Sequence, residues 1–237
     1  MAQSLNTTQL SGPLSCGMVK RDCHLPRQHL ANLRFQVSVN WFEQQFLKHN
    51  EVSVFHTPWE LFFAVLLEID PQVSSFVPQP FCFHIGRQRY TPDFYLERTG
   101  HIQIVEVKTD KEIDTDGNWT RKTIAGPIAD YCAAQGWTFK VIANSWLRKQ
   151  QLLVERWLPI IRCLQHHTEL ITDQQEITLL TQLGKVSHCQ FQDVINPLDR
   201  QNSLPMEIGL YRLALRGQIS LDINHTALSP QSRVMLQ

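Results

Sequence analysis

Two changes of pattern predict a mixed α/β domain followed by a small, mainly helical one. Between residues 57 and 144 a capped apolar helix gives way to three short alternating segments, a second helix and a last alternating segment. Past Ser145 apolar positions recur at helical spacing, until a final alternating stretch after Gly217. The chain has 237 residues, 43% of them hydrophobic, which suffices for one large core or two smaller ones. The pattern divides it into a flexible basic arm over 1–32, an α/β domain over 33–148 and a helical domain over 149–237.

The first fifteen residues are polar and without period. Residues 33–48 place Leu33, Phe35, Val37, Val39, Trp41, Phe42 and Phe46 first in alternation and then at helical spacing. A helix start follows at Thr57-Pro58-Trp59-Glu60: a capping hydroxyl, proline at the first helical position, and Glu three residues after the cap. That helix runs to Pro71, and Glu68 near its end is expected to face solvent. Segments 81–85, 89–97 and 102–108, separated by Gly86 and Thr99-Gly100, predict a three-stranded antiparallel meander. An acidic loop spans Thr109 to Thr120, residues 121–135 predict a helix despite Pro127, and 138–144 predict a strand. Helix, three strands, helix, strand is the order of an α/β sandwich of about 90 residues. Further on, 146–164 predicts a helix broken at Pro159, and 172–183, 189–196 and 204–216 predict three more. Three short helices followed by a hairpin is the pattern of a winged helix-turn-helix.

Composition excludes several classes. Ten glycines and twelve prolines exclude a fibrous repeat, and the hydrophobic fraction excludes a wholly disordered chain. The longest apolar run, Leu61 to Leu67, is far short of the roughly 20 residues that cross a bilayer. No basic start with an apolar stretch behind it opens the chain, so no secretory signal is expected. Cysteines 16, 23, 82, 132, 163 and 189 form no CxxC pair and have no His at zinc-ligand spacing. They read as reduced, mostly buried thiols of an intracellular protein. No Ser-His-Asp set, GxSxG or phosphate-binding loop is present, and His84 and the His166-His167 pair read as structural. The 22 basic and 22 acidic side chains cancel, which argues against indiscriminate coating of nucleic acid but not against DNA binding. Only residues 1–59 are net positive, five against three, through Lys20, Arg21, Arg27 and Arg34 among others. That segment is either a solvated tail or an arm that grips phosphates.

The informative stretch is Thr91-Pro92-Asp93-Phe94 with Glu106-Val107-Lys108, twelve residues lying between Asp93 and Glu106. Glu106 and Lys108 share one face of a strand whose preceding residues on that face, Ile102 and Ile104, are apolar. If 89–97 and 102–108 pair across Gly100, Asp93 lies beside Glu106. Two adjacent carboxylates repel unless compensated, and a divalent cation is the usual compensation. Oxygen ligands without Cys or His select magnesium or manganese over zinc. The blander account is a surface strand with alternating charges.

Pro92-Asp93 with Glu106-Val107-Lys108, on this order of elements, resembles the PD-(D/E)XK nuclease superfamily. Pro58-Trp59-Glu60, Gln79-Pro80, Tyr90 to Phe94, Tyr131-Cys132 and Gly136-Trp137 are in addition similar to the TnsA family, the endonuclease subunits of heteromeric bacterial transposases. The resemblance covers about residues 30–150 by motif and the remainder by order of elements alone. It implies an α/β restriction-endonuclease-like fold, a mixed sheet flanked by helices, followed by a winged-helix-like domain. It implies Asp93, Glu106 and the Val107 carbonyl as metal ligands, Lys108 as the catalytic lysine, and Glu60 as the carboxylate from the first helix. Glu60 has a second reading, since Thr57-x-x-Glu60 is also a capping box. Arg121 and Lys122 either reach DNA phosphates, with Lys20 and Arg21, or simply open a helix.

The resemblance further implies magnesium, with manganese able to substitute, and hydrolysis of the 5′, non-transferred strands at transposon ends. The implied partners are transposon-end double-stranded DNA, a DDE transposase subunit (TnsB-type) and an ATPase regulator (TnsC-type), in a bacterial cytoplasm at the nucleoid and without a membrane. Two other readings stay open: a stand-alone repair or restriction nuclease, and a catalytically silent DNA-binding assembly subunit.

Overall fold

A computed structural model describes residues 15–29, 41–196, 198–223 and 226–237. The chain divides into two compact units, Met1–Leu67 with Gln72–Lys149, and Glu68–Pro71 with Gln150–Gln237.

The first unit is built on a four-stranded mixed sheet. Its strands are β5 (Val73–Pro78), β8 (Phe94–Arg98), β9 (His101–Lys108) and β10 (Thr138–Ala143), in the order β10-β9-β8-β5. β10 runs parallel to β9 and the other pairs are antiparallel. Helix Lys122–Ala134 supplies the crossover that a parallel pair requires. One face of the sheet carries Phe76 and Phe94, which meet Phe63 of helix Pro58–Ile69 and Phe46 and Phe55 of a hairpin, β3 (Phe42–Phe46) with β4 (His49–Phe55). The opposite face carries Tyr95 and Ile104, packed in one cluster with Ile124, Ile128 and Tyr131 of the crossover helix and with Phe81 and Phe83. A second sheet joins that layer: β1 (Ser15–Cys16), β2 (Val19–Arg21), β6 (Phe83–Ile85) and β7 (Gln88–Tyr90), all antiparallel.

Four features differ from the sequence expectation. The meander is two hairpins in two sheets, because Thr91-Pro92-Asp93 turns the chain between β7 and β8 and Pro92 has no amide to extend a ladder. β5 forms where the pattern predicts no element. Trp41 to Phe55 make a hairpin rather than a helix, with Gln44 and Phe46 inward at period two; Leu33 to Val39 lie outside the described residues. Glu68 is fully buried, since Ala64, Val65 and Leu67 continue their inward stripe through it.

The expected N-terminal arm is also different where it is described. Residues 15–21 add two strands to a sheet, and the rest of the arm, before residue 15 and after residue 29, lies outside the described residues. Lys20 points outward, but Arg21 is completely buried, so it presents nothing to DNA. Alternation along β2 turns it inward beside Val19, and its guanidinium lies 5.1 Å from the Phe81 ring and 5.0 Å from the Trp137 ring. Among the described residues none of its three nitrogens has a hydrogen-bond partner.

In the second unit helix Gln151–His166 runs through Pro159 without a break. Helix Asp173–Val186 is followed by β11 (His188–Gln190), a short helix Phe191–Val194, helix Arg200–Leu215, β12 (Ile219–Leu221) and β13 (Arg233–Leu236). The three strands form an antiparallel sheet in the order β11-β13-β12. The expected helix at 189–196 thus begins as a strand. Arg212 fastens the preceding turn, donating to the carbonyls of His167 and Leu170 at 3.0 and 2.6 Å and to Thr172 Oγ1 at 2.8 Å.

Six thiols are free, but only Cys82 and Cys132 are buried; the other four are partly exposed. Among the described residues no helix is long and apolar enough to cross a membrane. Arg21→Met keeps the volume between the two rings and removes a buried charge, so it is expected to leave stability unchanged or raise it by about 1–2 kcal/mol in urea denaturation. A loss of stability would show that the stacked guanidinium outweighs its desolvation.

Candidate active site

Pairing of Phe94 with Val105 sets Asp93 opposite Glu106. The Asp93 amide donates to Glu106 Oε1 at 3.2 Å, and Asp93 Oδ2 accepts from the Val107 amide at 2.7 Å. The two carboxylates therefore hold each other's strand ends. Glu106 is completely buried, the last inward residue of an otherwise apolar strand before Lys108. Lys108 Nζ lies 3.1 Å from Asp93 Oδ2 and 2.5 Å from Glu106 Oε2. The second contact is an ion pair outside hydrogen-bond alignment, and it leaves Glu106 Oε2 a buried oxygen without a hydrogen bond. On its far side the ammonium sits 4.9 Å from the Trp119 ring.

Glu60 opens the helix on the other face of the sheet. Its amide donates to Thr57 Oγ1 at 3.2 Å, Thr57 Oγ1 donates to Glu60 Oε1 at 2.9 Å, and the His56 amide donates to Oε2 at 3.1 Å. This is a capping arrangement in which Glu60 takes the His56 amide where a capping box would take that of Thr57. Among the described residues, oxygens of Glu60, Asp93 and Glu106 do not all come within 4.8 Å of one another. Asp93 and Glu106 form the inner pair and Glu60 stands outside it. Lys20, Arg121 and Lys122 are exposed, the last two where helix Lys122–Ala134 begins.

Burial raises Glu60 to about 7, helped by the charge of Asp93 and opposed by the two capping donors and by Lys108. Burial likewise raises Glu106 to about 7 against the pull of Lys108. For Lys108 burial acts downward, but Glu106 and Asp93 outweigh it and hold the ammonium above its ordinary range. The directions are compatible because Lys108 has two carboxylates beside it, whereas Glu106 is wholly dry.

Sequence reasoning gave no role to three residues beside this cluster, although Gln79-Pro80 figures in the family resemblance. Gln79 adopts a left-handed backbone, φ +47°, that only Gly adopts freely. Its amide donates to the Asp93 carbonyl at 2.9 Å and its side chain reaches His56 Nδ1 at 2.9 Å. Burial lowers the pKa of His56 against the opposing charge of Asp93, so the ring is neutral at pH 7. Trp119 closes the acidic loop by a bridge to Ile113 and is almost entirely buried. A lone aromatic in a polar loop was the available signal for Trp119. Gln79 and His56 left none beyond their places beside Pro80 and the helix cap.

A carboxyl whose pKa is about 7 when folded and near 4.5 when unfolded favours the folded state below pH 4.5 and loses that advantage as pH rises to 7. Without divalent ions, stability is therefore expected to fall between pH 4.5 and 7 by a few kcal/mol, on the order of 1.4 per pH unit and group. Glu106→Gln and Glu60→Gln should each flatten the slope in thermal denaturation; an unchanged slope would contradict the burial argument.

Comparison with known proteins bears on the same segment. Residues 67–144 match the family model of the TnsA-like endonuclease N-terminal domain. That span contains Gln79, Asp93, Glu106, Lys108 and Trp119 and excludes His56 and Glu60. No curated protein matches the chain significantly. The segment that holds the buried carboxylate–lysine cluster is thus similar to the N-terminal domain of TnsA-like endonucleases.

Proposed function

We propose that the protein is the endonuclease subunit of a TnsA/TnsB/TnsC-type transposase, hydrolysing the 5′, non-transferred strands at transposon ends with magnesium. The observation that carries this reading is the Lys108 ammonium between Asp93 Oδ2 and Glu106 Oε2, where it supplies the positive charge that two adjacent carboxylates require. The donors are hard carboxylate oxygens, so the pair suits magnesium or manganese. Asp93 and Glu106 would hold the ion, with the Val107 carbonyl beside them, and Glu60 would add charge from outside the pair. A divalent ion there supplies Lewis-acid polarisation of the phosphodiester and makes water nucleophilic near neutral pH.

The chain's own groups do the rest. The Val107 amide fixes Asp93, and the Asp93 amide fixes Glu106, so neither carboxylate has to reorganise. Lys108, released from Glu106 once the carboxylates are otherwise compensated, stabilises the charge that develops on the phosphoryl oxygens or positions the attacking water. Water adds to phosphorus and gives up a proton to solvent as the ester bond breaks, and the leaving oxygen takes a proton from solvent. Exposed Arg121, Lys122 and Lys20 would contact backbone phosphates.

For the second unit we infer a winged-helix-like module. Helix, strand, short helix, longer helix and two strands, with the last strand central in the sheet, is the order that supports it. By family resemblance it would contact the ATPase regulator.

The test is strand-resolved cleavage of labelled transposon-end DNA with magnesium, with and without the DDE transposase. Asp93→Ala and Lys108→Ala are each expected to reduce 5′-strand cutting about 10²–10³-fold and leave 3′-strand cutting intact. Cutting by the chain alone at unrelated sites would replace this reading with a stand-alone nuclease. Wild-type failure to cut within an active complex would replace it with a silent assembly subunit.

A further inference from the structure

Away from the carboxylate–lysine cluster, Asp22, Cys23 and His29 bring a carboxylate oxygen, a thiol sulfur and an imidazole nitrogen within 4.8 Å of one another. The segment that carries them leaves β2 and is fastened along residues 79–82. The Asp22 amide donates to the Cys82 carbonyl at 3.1 Å, the Arg27 amide donates to the Pro80 carbonyl, and the His29 amide donates to the Gln79 carbonyl at 2.9 Å. One oxygen of Asp22 is spent on this framework, since Oδ1 accepts from the Cys82 amide at 3.0 Å. The other, Oδ2, lies 3.9 Å from His29 Nε2, which is too long for a hydrogen bond. His29 Nε2 is itself buried and has no hydrogen-bond partner among the described residues. The thiol of Cys23 donates to a carbonyl two residues on, that of Leu25, at 3.3 Å, and also interacts with the Asp22 carboxylate.

Two ligands on a shared tetrahedral ion, at bond lengths of 2.0–2.3 Å, stand roughly 3.3–3.7 Å apart. Asp22 Oδ2 and His29 Nε2 at 3.9 Å, with the thiol sulfur within 4.8 Å of a ligand atom of each, need only side-chain adjustment to reach that spacing. An imidazole nitrogen without a hydrogen bond and a carboxylate oriented through its other oxygen by a backbone amide are what a ligand set and its supporting shell require. We propose that Asp22, Cys23 and His29 form a binding site for a borderline-soft divalent ion, zinc above all, with a fourth position open to water. A mixed sulfur, nitrogen and oxygen set favours zinc over magnesium, so this site and the oxygen-only pair of Asp93 and Glu106 take different metals. On binding, the Cys23 thiol yields its proton to solvent. The ion would tie the two ends of segment 22–29 together, and that segment's backbone bonds reach Gln79, whose amide and side chain position Asp93 and His56. Spacing failed to mark the site because two ligands are adjacent in sequence and the third lies six residues on, unlike the usual paired cysteines and histidines.

The experiment uses the full, untagged chain with Asp93→Asn, which removes one of the oxygen-only ligands, and titrates zinc and cobalt alone. One equivalent of zinc should bind, and cobalt should develop a thiolate charge-transfer band. Cys23→Ser should abolish the band, and Cys23→Ser and His29→Gln should each weaken zinc binding by more than the ~10–100-fold lost with an outer-shell partner. Circular dichroism of the variants reports whether they fold, and the cobalt band reports the thiolate directly. Absence of binding, or a band that persists unchanged in Cys23→Ser, would overturn the proposal.

Discussion

Burial of a carboxylate at the end of an apolar strand is the constraint on which the first unit turns. Glu106 sits on the same face of β9 as Ile102 and Ile104 and is completely buried. Such a group is tolerated only if its charge is matched or its proton retained. The fold does both in part: Lys108 two residues on supplies the counter-charge, and burial moves Glu106 up to about 7. Everything around it serves that arrangement. Pro92 turns the chain so that Asp93 meets Glu106, Gln79 accepts a strained backbone to hold the Asp93 carbonyl, and Trp119 covers the ammonium.

The same physics explains what was legible in the sequence. The helix at Pro58, the helix through Pro127, the strand at Thr138 and the carboxylate pair were readable because each depends on local chemistry: a cap, a period, a spacing across one tight turn. The break between β7 and β8 was not, because Tyr90 to Glu97 alternates smoothly and only tertiary structure decides that its halves join different sheets. β5 was hidden between Pro71 and Pro78, and its strand character comes from pairing with β8. The two readings of Glu60 were both physical, and the geometry shows the capping contacts made while the carboxylate still feels Asp93.

Arg21 shows the limit of reading charge from composition. A basic residue in the one net-positive segment predicts a phosphate contact, but β2 alternates and turns it into the aromatic cluster of Phe81 and Trp137. Lys20, its neighbour, takes the outward position. One residue of register separates a solvent-facing cation from a core one. The segment that follows, held to residues 79–82, links the N-terminal strands to the site rather than trailing from it.

Crystals soaked in manganese, with anomalous scattering measured at the manganese edge, address the paired carboxylates most directly. The geometry predicts a peak bonded to Asp93 and Glu106, with Lys108 Nζ drawn away from Glu106 Oε2. A fully occupied peak elsewhere, with the Lys108–Glu106 contact intact, would mean that the lysine is the permanent partner of a structural carboxylate and that the chemistry lies in other residues.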